Sequence, residues 1–176
     1  MPVVVLPILI PLLFMILHLV IRNSRYSGIL GIAGSIAMLA SSVFILLEVF
    51  GNGIISTVVG GWDAPFGISV VIDQMSALFL LVTSIIVVAI SIFALNFPAK
   101  ERYLPKFYFF FFSLILGVNG AFITGDIFNL YVWFEVMLLS SFVLITLGFS
   151  REQLRGGIKY MAMNLIGSLF FLAGIG

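Results

Sequence analysis

Cysteine is missing from all 176 residues, histidine occurs once, and only 9% of the chain is charged. Without cysteine there is neither a disulfide framework nor a thiolate metal site. With His18 as the single histidine, a histidine-based metal cluster has no ligands to draw on. The shortage of charge says most. A soluble domain carries about 25% charged residues, so this chain cannot cover an aqueous surface and needs lipid around it. A net charge of +1 offers none of the clustered Lys and Arg that phosphate binding requires, and no nucleic-acid partner is expected. No nucleophile with its base and no phosphate loop can be read in the sequence. No cofactor, no metal and no soluble-type enzyme chemistry are therefore expected.

Apolar residues, by contrast, make up 62% of the chain. Runs of about 20 apolar residues, the length that crosses a bilayer, recur six times, near 3–21, 27–50, 72–95, 107–124, 127–148 and 158–176. The N-terminus has no basic segment or small-residue cleavage site, so the first run is expected to stay as a membrane span. The chain thus reads as an all-α membrane protein, a single transmembrane domain over 1–176 with about six helices.

Charge sets the expected orientation. Arg22 and Arg25 follow the first run, Lys100, Arg102 and Lys106 the third, and Arg151, Arg155 and Lys159 the fifth. Six crossings place all eight on one side. By the positive-inside rule that side is the cytoplasm, with the N-terminus outside a multi-pass protein of the cell (plasma) membrane. On the outer side, between helices two and three, two β-branched runs flank a Gly/Pro-rich segment. This pattern predicts a small β-hairpin, with Trp62 and Phe66 suited to the interfacial aromatic belt; the alternative is an ordered loop. Asp73 and Asp126 are placed to cap helices three and five. Gly125 is available as a left-handed stop. Ser150 and Gln153 have capping-box spacing, which starts helix six near Arg151.

Glu135 is the most informative residue. Nine residues after Asp126, at 1.5 Å each, it lies about 14 Å below the outer end of helix five, near the midplane of a ~30 Å hydrocarbon core. An ionised side chain there costs about 2.5–3.5 kcal/mol on the permissive insertion scale. Such residues face a bundle interior and mark proton paths. Glu135 is expected to be a proton acceptor in a relay; the alternative is a protonated glutamate that fixes helix packing. Tyr131, at i−4, is the one nearby donor on its face. Lys159 continues the stripe of Arg151 and Arg155 at i, i+4, i+8, the pattern of interfacial snorkelling. A water-mediated link to Glu135 is the alternative for it. His18, four residues before Arg22, either passes protons near the inner mouth or is hydrogen-bonded to a loop. Asn119, Asn129 and Asn164 can bond across helices or hold water. Gly28, Gly31, Gly34 and Ser35, with Gly117 and Gly120, read as close-packing positions, and Pro7 and Pro11 as a kink in helix one.

The continuous segment 119–136, Asn119 through Thr124-Gly125-Asp126 to Phe134-Glu135-Val136, resembles the fourth-to-fifth-helix segment of the D-type subunits of Mrp-type Na⁺/H⁺ antiporters. Residues 61–68 (Gly61-Trp62-Asp63-Ala64-Pro65-Phe66-Gly67-Ile68), 73–78 and 150–160 support the resemblance, which runs the length of the chain. Also similar are the antiporter-like subunits of membrane-bound hydrogenases and, more distantly, of respiratory complex I. The resemblance implies a longer fold with two inverted five-helix repeats and both termini outside. It also implies that Glu135 is the fifth-helix glutamate of the translocation path, working with a lysine on a seventh helix. That lysine lies beyond Gly176, so the resemblance implies an N-terminal portion of the usual protein, whether a gene fragment, a split subunit or an incomplete reading frame. The function so implied is a proton-translocating membrane subunit of a multisubunit monovalent-cation/proton antiporter, which is a transporter component rather than an enzyme. Its partners would be other membrane subunits of a hetero-oligomeric complex, the lipid bilayer, H⁺ and Na⁺. Alternatives are a proton-pumping component of a hydrogenase or complex I-like oxidoreductase, or a purely structural membrane subunit.

Overall fold

A computed structural model describes residues 2–21, 24–60, 67–96 and 104–175. The chain runs α1 (Pro2–Val20), α2 (Ser24–Asn52), β1 (Ile55–Val59), β2 (Ile68–Ile72), α3 (Gln74–Asn96), α4 (Leu104–Ile123), α5 (Ile127–Thr146) and α6 (Arg151–Ile175). Among the described residues, six helices are long and apolar enough to cross a membrane. They lie in the order α3–α2–α1–α4–α5–α6, each packed on the next, and α4 reaches back to α2 and α3. Because successive helices alternate in direction, Lys106, Arg151, Arg155 and Lys159 share one end of the bundle, hereafter the basic end. Trp62, Phe66, Arg22, Lys100 and Arg102 lie outside the described residues.

The predicted hairpin forms. β1 and β2 pair antiparallel with Ile55 opposite Ile72 and Val59 opposite Ile68. Val70 and Ile72 face inward and join Val4, Ile45, Val49, Ala77, Leu80 and Ile123 in one apolar cluster. Ile72, at the expected start of the third span, is therefore the last residue of β2, and α3 begins at Gln74. Asp73 caps α3 as predicted, accepting from the Ser76 N–H at 2.7 Å. Hydrogen bonds from Ser76, the backbone N–H first and then the hydroxyl, hold the Asp73 carboxyl below its usual value of 3.8. A depressed carboxyl stabilises the fold fully above about pH 4, and its contribution disappears as pH falls through the lowered value. Asp73→Ala should cost about 1 kcal/mol at neutral pH. Thermal unfolding in detergent should show that difference at pH 7, and the difference should shrink as the pH falls below the carboxyl's usual range.

The helix–helix contacts rest on small residues, since lipid supplies no hydrophobic drive between spans. Gly31 lies against the Tyr108 ring, and Gly34 against Phe112 and Phe14. Ser35, Ser42 and Ser84 donate to carbonyls three or four residues back on their own helices, which is how hydroxyls are tolerated in a span. Pro7 and Pro11 both sit inside α1. Pro11 has no N–H, so the Pro7 carbonyl lacks its helical donor; Asn119 of α4 supplies one at 2.9 Å. Of the three asparagines, Asn119 bonds across helices, whereas Asn129 donates to Thr124 and Asn164 to the Tyr160 carbonyl of its own helix.

Candidate proton-transfer site

The site is built outward from the turn joining α4 to α5. Asp126 is the N-cap of α5, in extended conformation, and accepts from the Phe128 N–H at 3.0 Å. Thr124 ties this turn together, accepting from the Asn129 amide at 2.9 Å and donating to the Asp126 carbonyl at 3.2 Å. Gly125 does not act as a left-handed stop: the positive-φ glycines among the described residues are Gly53 and Gly60. It is needed for a different reason. Its N–H donates to the Ser69 carbonyl at 2.9 Å, Thr124 bridges to Val70, and an added Cβ would come within 2.7 Å of the Ser69 hydroxyl and 3.0 Å of Val71. β2 thus lies directly against the start of α5.

From this fixed end Glu135 is eight residues into α5, about 12 Å along the axis, and eleven residues short of Thr146. It is half-buried rather than enclosed. Its open side faces a cavity of about 400 Å³ between α5 and α6. Across this cavity Ser168 of α6 donates its hydroxyl to Glu135 Oε1. A hydroxyl can donate to a carboxylate or accept from a carboxylic acid, so this contact suits either protonation state.

The cavity is chemically lopsided. Toward the basic end its wall carries Asn164 and Tyr160, and the Tyr160 hydroxyl pairs with Ser141 at 2.8 Å. Toward the Asp126 end Tyr131 stacks on Phe171 at 6.4 Å, and Phe134 meets the same ring edge-on at 5.8 Å. The expected donor Tyr131 thus contributes an aromatic wall, while Ser168 provides the hydroxyl; at thirty-three residues' separation no local spacing could have pointed to it. Lys159 is exposed on α6, nine residues and about 14 Å of rise from Ser168 toward the basic end, and is no direct partner of Glu135. α6 starts at Arg151, and Ser150 and Gln153 form the reciprocal capping box, at 3.1 and 3.2 Å.

His18 lies elsewhere. It is 2% exposed, with Nδ1 2.6 Å from the Phe14 carbonyl and Nε2 3.1 Å from that of Ser27, and its ring stacks on Tyr108 and Phe112. Its far partner is the first turn of α2, not a loop. Asn119 is equally remote from Glu135, at the α1–α4 contact described above. Of the five candidate residues, Glu135 and Tyr131 alone line one cavity. Among the described residues no group of three or more His, Asp or Glu side chains could hold a metal ion.

Comparison with known proteins fits this architecture. A family model described as NADH:quinone oxidoreductase/Mrp antiporter, transmembrane, matches residues 124–176, from the tight turn onward. The chain is 40% identical over 175 residues to the D-type Na⁺/H⁺ antiporter subunit of Alkalihalophilus pseudofirmus, and 38% over 174 residues to that of Bacillus subtilis. Each match covers 98% of this chain and 35% of the relative. The solved Mrp complex from Dietzia sp. contains a chain that superposes with a TM-score of 0.84 at 28% identity, over 98% of this chain and 33% of that one. An archaeal respiratory membrane complex, the membrane-bound sulfane sulfur reductase, gives 0.82 at 28% identity, over 98% of this chain and 35% of its own. The chain spans about a third of the length of the relatives it matches. It is a multi-pass membrane protein similar along nearly its whole length to part of the D-type Na⁺/H⁺ antiporter subunits, and its residues 124–176 match the model of the NADH:quinone oxidoreductase/Mrp antiporter transmembrane region.

Proposed function

We propose that this chain is a transmembrane unit of a proton-translocating subunit in a multisubunit Na⁺/H⁺ antiporter, with Glu135 as the group that takes up and releases the proton. One observation carries the reading: a carboxylate in the middle of a membrane-length helix, half-open to a cavity and held by a neutral hydroxyl. An intramembrane carboxylate without a fixed cation gains or loses its proton when a positive charge approaches or departs. In an assembled complex such a charge would come from a group outside the six helices described above. The basic end faces the cytoplasm by the positive-inside rule, in the cell membrane, and the partners are the other membrane subunits of the complex.

The test uses sealed inverted vesicles containing the complete complex, acidified inside by an unrelated proton pump. Added Na⁺ should collapse the pH gradient only when the complex is present. A second reading is a redox-driven pump, favoured by the likeness to the sulfane sulfur reductase complex. Proton movement that requires an electron donor and ignores Na⁺ would replace the first reading with the second.

A further inference from the structure

Serine hydroxyls inside these helices are mostly satisfied close to home. Ser35, Ser41, Ser42, Ser84, Ser140 and Ser141 each donate to a carbonyl three or four residues back on their own helix, at 2.7–3.0 Å. That is the local way to satisfy a hydroxyl in a span. Ser168 has the same kind of acceptor one turn back, the Asn164 carbonyl, yet its hydroxyl crosses to Glu135 Oε1 on α5.

Packing does not demand this. Gly157, Tyr160, Asn164, Ser168 and Phe171 recur three or four residues apart and form the stripe of α6 that meets α5. Toward the basic end the two helices touch: a Cβ added at Gly157 would collide with Thr146, and the Tyr160 hydroxyl pairs with Ser141 at 2.8 Å. At the other end Phe171 stacks on Tyr131. Between these contacts the helices stand apart around the Glu135 cavity. Among the described residues, a Cβ added at the neighbouring Gly167 would meet no atom of another element within 4 Å. A small residue at position 168 therefore serves no close approach of helices, unlike Gly31 and Gly34 of α2. Other donors in the cavity lining are committed elsewhere, Tyr160 to Ser141 and Asn164 to the Tyr160 carbonyl. What position 168 contributes is its hydroxyl.

That contact has a definite consequence for an acid that gains and loses a proton. A carboxylate accepts at either oxygen, and a carboxylic acid carries its proton on one oxygen while the other still accepts. With Ser168 donating to Oε1, the same bond serves both states, and the proton comes and goes at Oε2. Glutamate is a long side chain with much rotamer freedom, and a donor bound in both states keeps the acid in one place.

We propose that Ser168 is a positioning residue for Glu135: its hydroxyl holds Oε1 in both protonation states and leaves Oε2 to exchange the proton with the cavity. This rests on the reading of Glu135 as the proton carrier and deepens it.

The test is Na⁺-driven proton exchange in inverted vesicles holding the complete complex, with rates normalised to complex content. Ser168→Ala should lower exchange about tenfold, the effect of losing one hydrogen bond to a charged group. Ser168→Thr keeps the hydroxyl and should recover most of the rate. Ser168→Cys matches serine closely in size but is a weak donor, and it should stay as low as alanine. In a Glu135→Asp background the acid is already withdrawn, so Ser168→Ala should cost only about twofold or less, because both changes remove one contact. All three Ser168 variants should assemble and melt like wild type, since the Gly157, Tyr160 and Phe171 contacts remain. Full exchange in Ser168→Ala, recovery by cysteine as well as by threonine, or an undiminished loss in the Glu135→Asp background would each overturn the proposal while leaving Glu135 as the carrier. Exchange that survives Glu135→Gln would overturn the carrier reading itself, and the proposal with it.

Discussion

Exchange of Glu135 for glutamine should lower cation/proton exchange by the complete complex about 100-fold or more, at unchanged complex level. A positioned proton-transferring side chain contributes about 10²–10⁴-fold, and an amide cannot take its place. Glutamine is the informative substitution because it keeps the shape and an oxygen that still accepts from Ser168. Assembly and thermal stability should therefore stay near wild type while transport falls. Glu135→Asp keeps the acid but withdraws it by one methylene from Ser168, and an intermediate rate is expected. Na⁺-induced pH changes in inverted vesicles, normalised to complex content, measure all three. A carboxylate that only fixes packing would give the opposite pattern, with lost stability and full transport per complex.

The second large effect is expected at Gly120, from sterics rather than charge. A Cβ built there runs into the Trp133 indole, and one at Gly117 comes within 2.7 Å of Met137 Cγ and 3.1 Å of the Trp133 carbonyl. These two glycines let α4 and α5 approach closely, and Trp133 is two residues from Glu135. Overfilling a packed interior by a few carbons costs about 1–3 kcal/mol, and Gly120→Leu adds a whole branched side chain where even one carbon does not fit. The folded complex recovered in detergent should drop several-fold, read by fluorescence-detected gel filtration. Combining Gly120→Leu with Trp133→Ala should restore part of the yield, since the leucine then enters the space the indole leaves. Wild-type yield from Gly120→Leu alone would show that the two helices can separate at no cost.

What can be read from the sequence is what short-range chemistry dictates. The six spans follow from apolar length, the hairpin from its β-branched runs, and the Asp73, Asp126 and Ser150/Gln153 caps from spacings of two or three residues. Local reading fails where a distant element decides. Gly125 reads as a left-handed stop because the next residue in sequence caps a helix; its true constraint is β2, more than fifty residues earlier. The helix that carries Glu135 offers Tyr131 as its donor, whereas the hydrogen bond comes from Ser168, thirty-three residues on. The 112-residue link from Asn119 to Pro7 has only half a signal, the missing N–H of Pro11. Spacing puts His18 at the correct end of its helix, but nothing local reveals carbonyls at both ring nitrogens.

The hairpin clasping the Thr124–Asp126 turn has a mechanical consequence. It pins the Asp126 end of α5 through β2 to the cluster that also holds α1, α2 and α3, so the carboxylate sits on the better-anchored wall of its cavity. The opposite wall, α6, leans on α5 and is joined to it at the basic end by a four-residue connection. Under the proposed role of Glu135, a change in its access to water is therefore expected from the α6 side of the gap, with the acid as the fixed contact and its surroundings as the moving one.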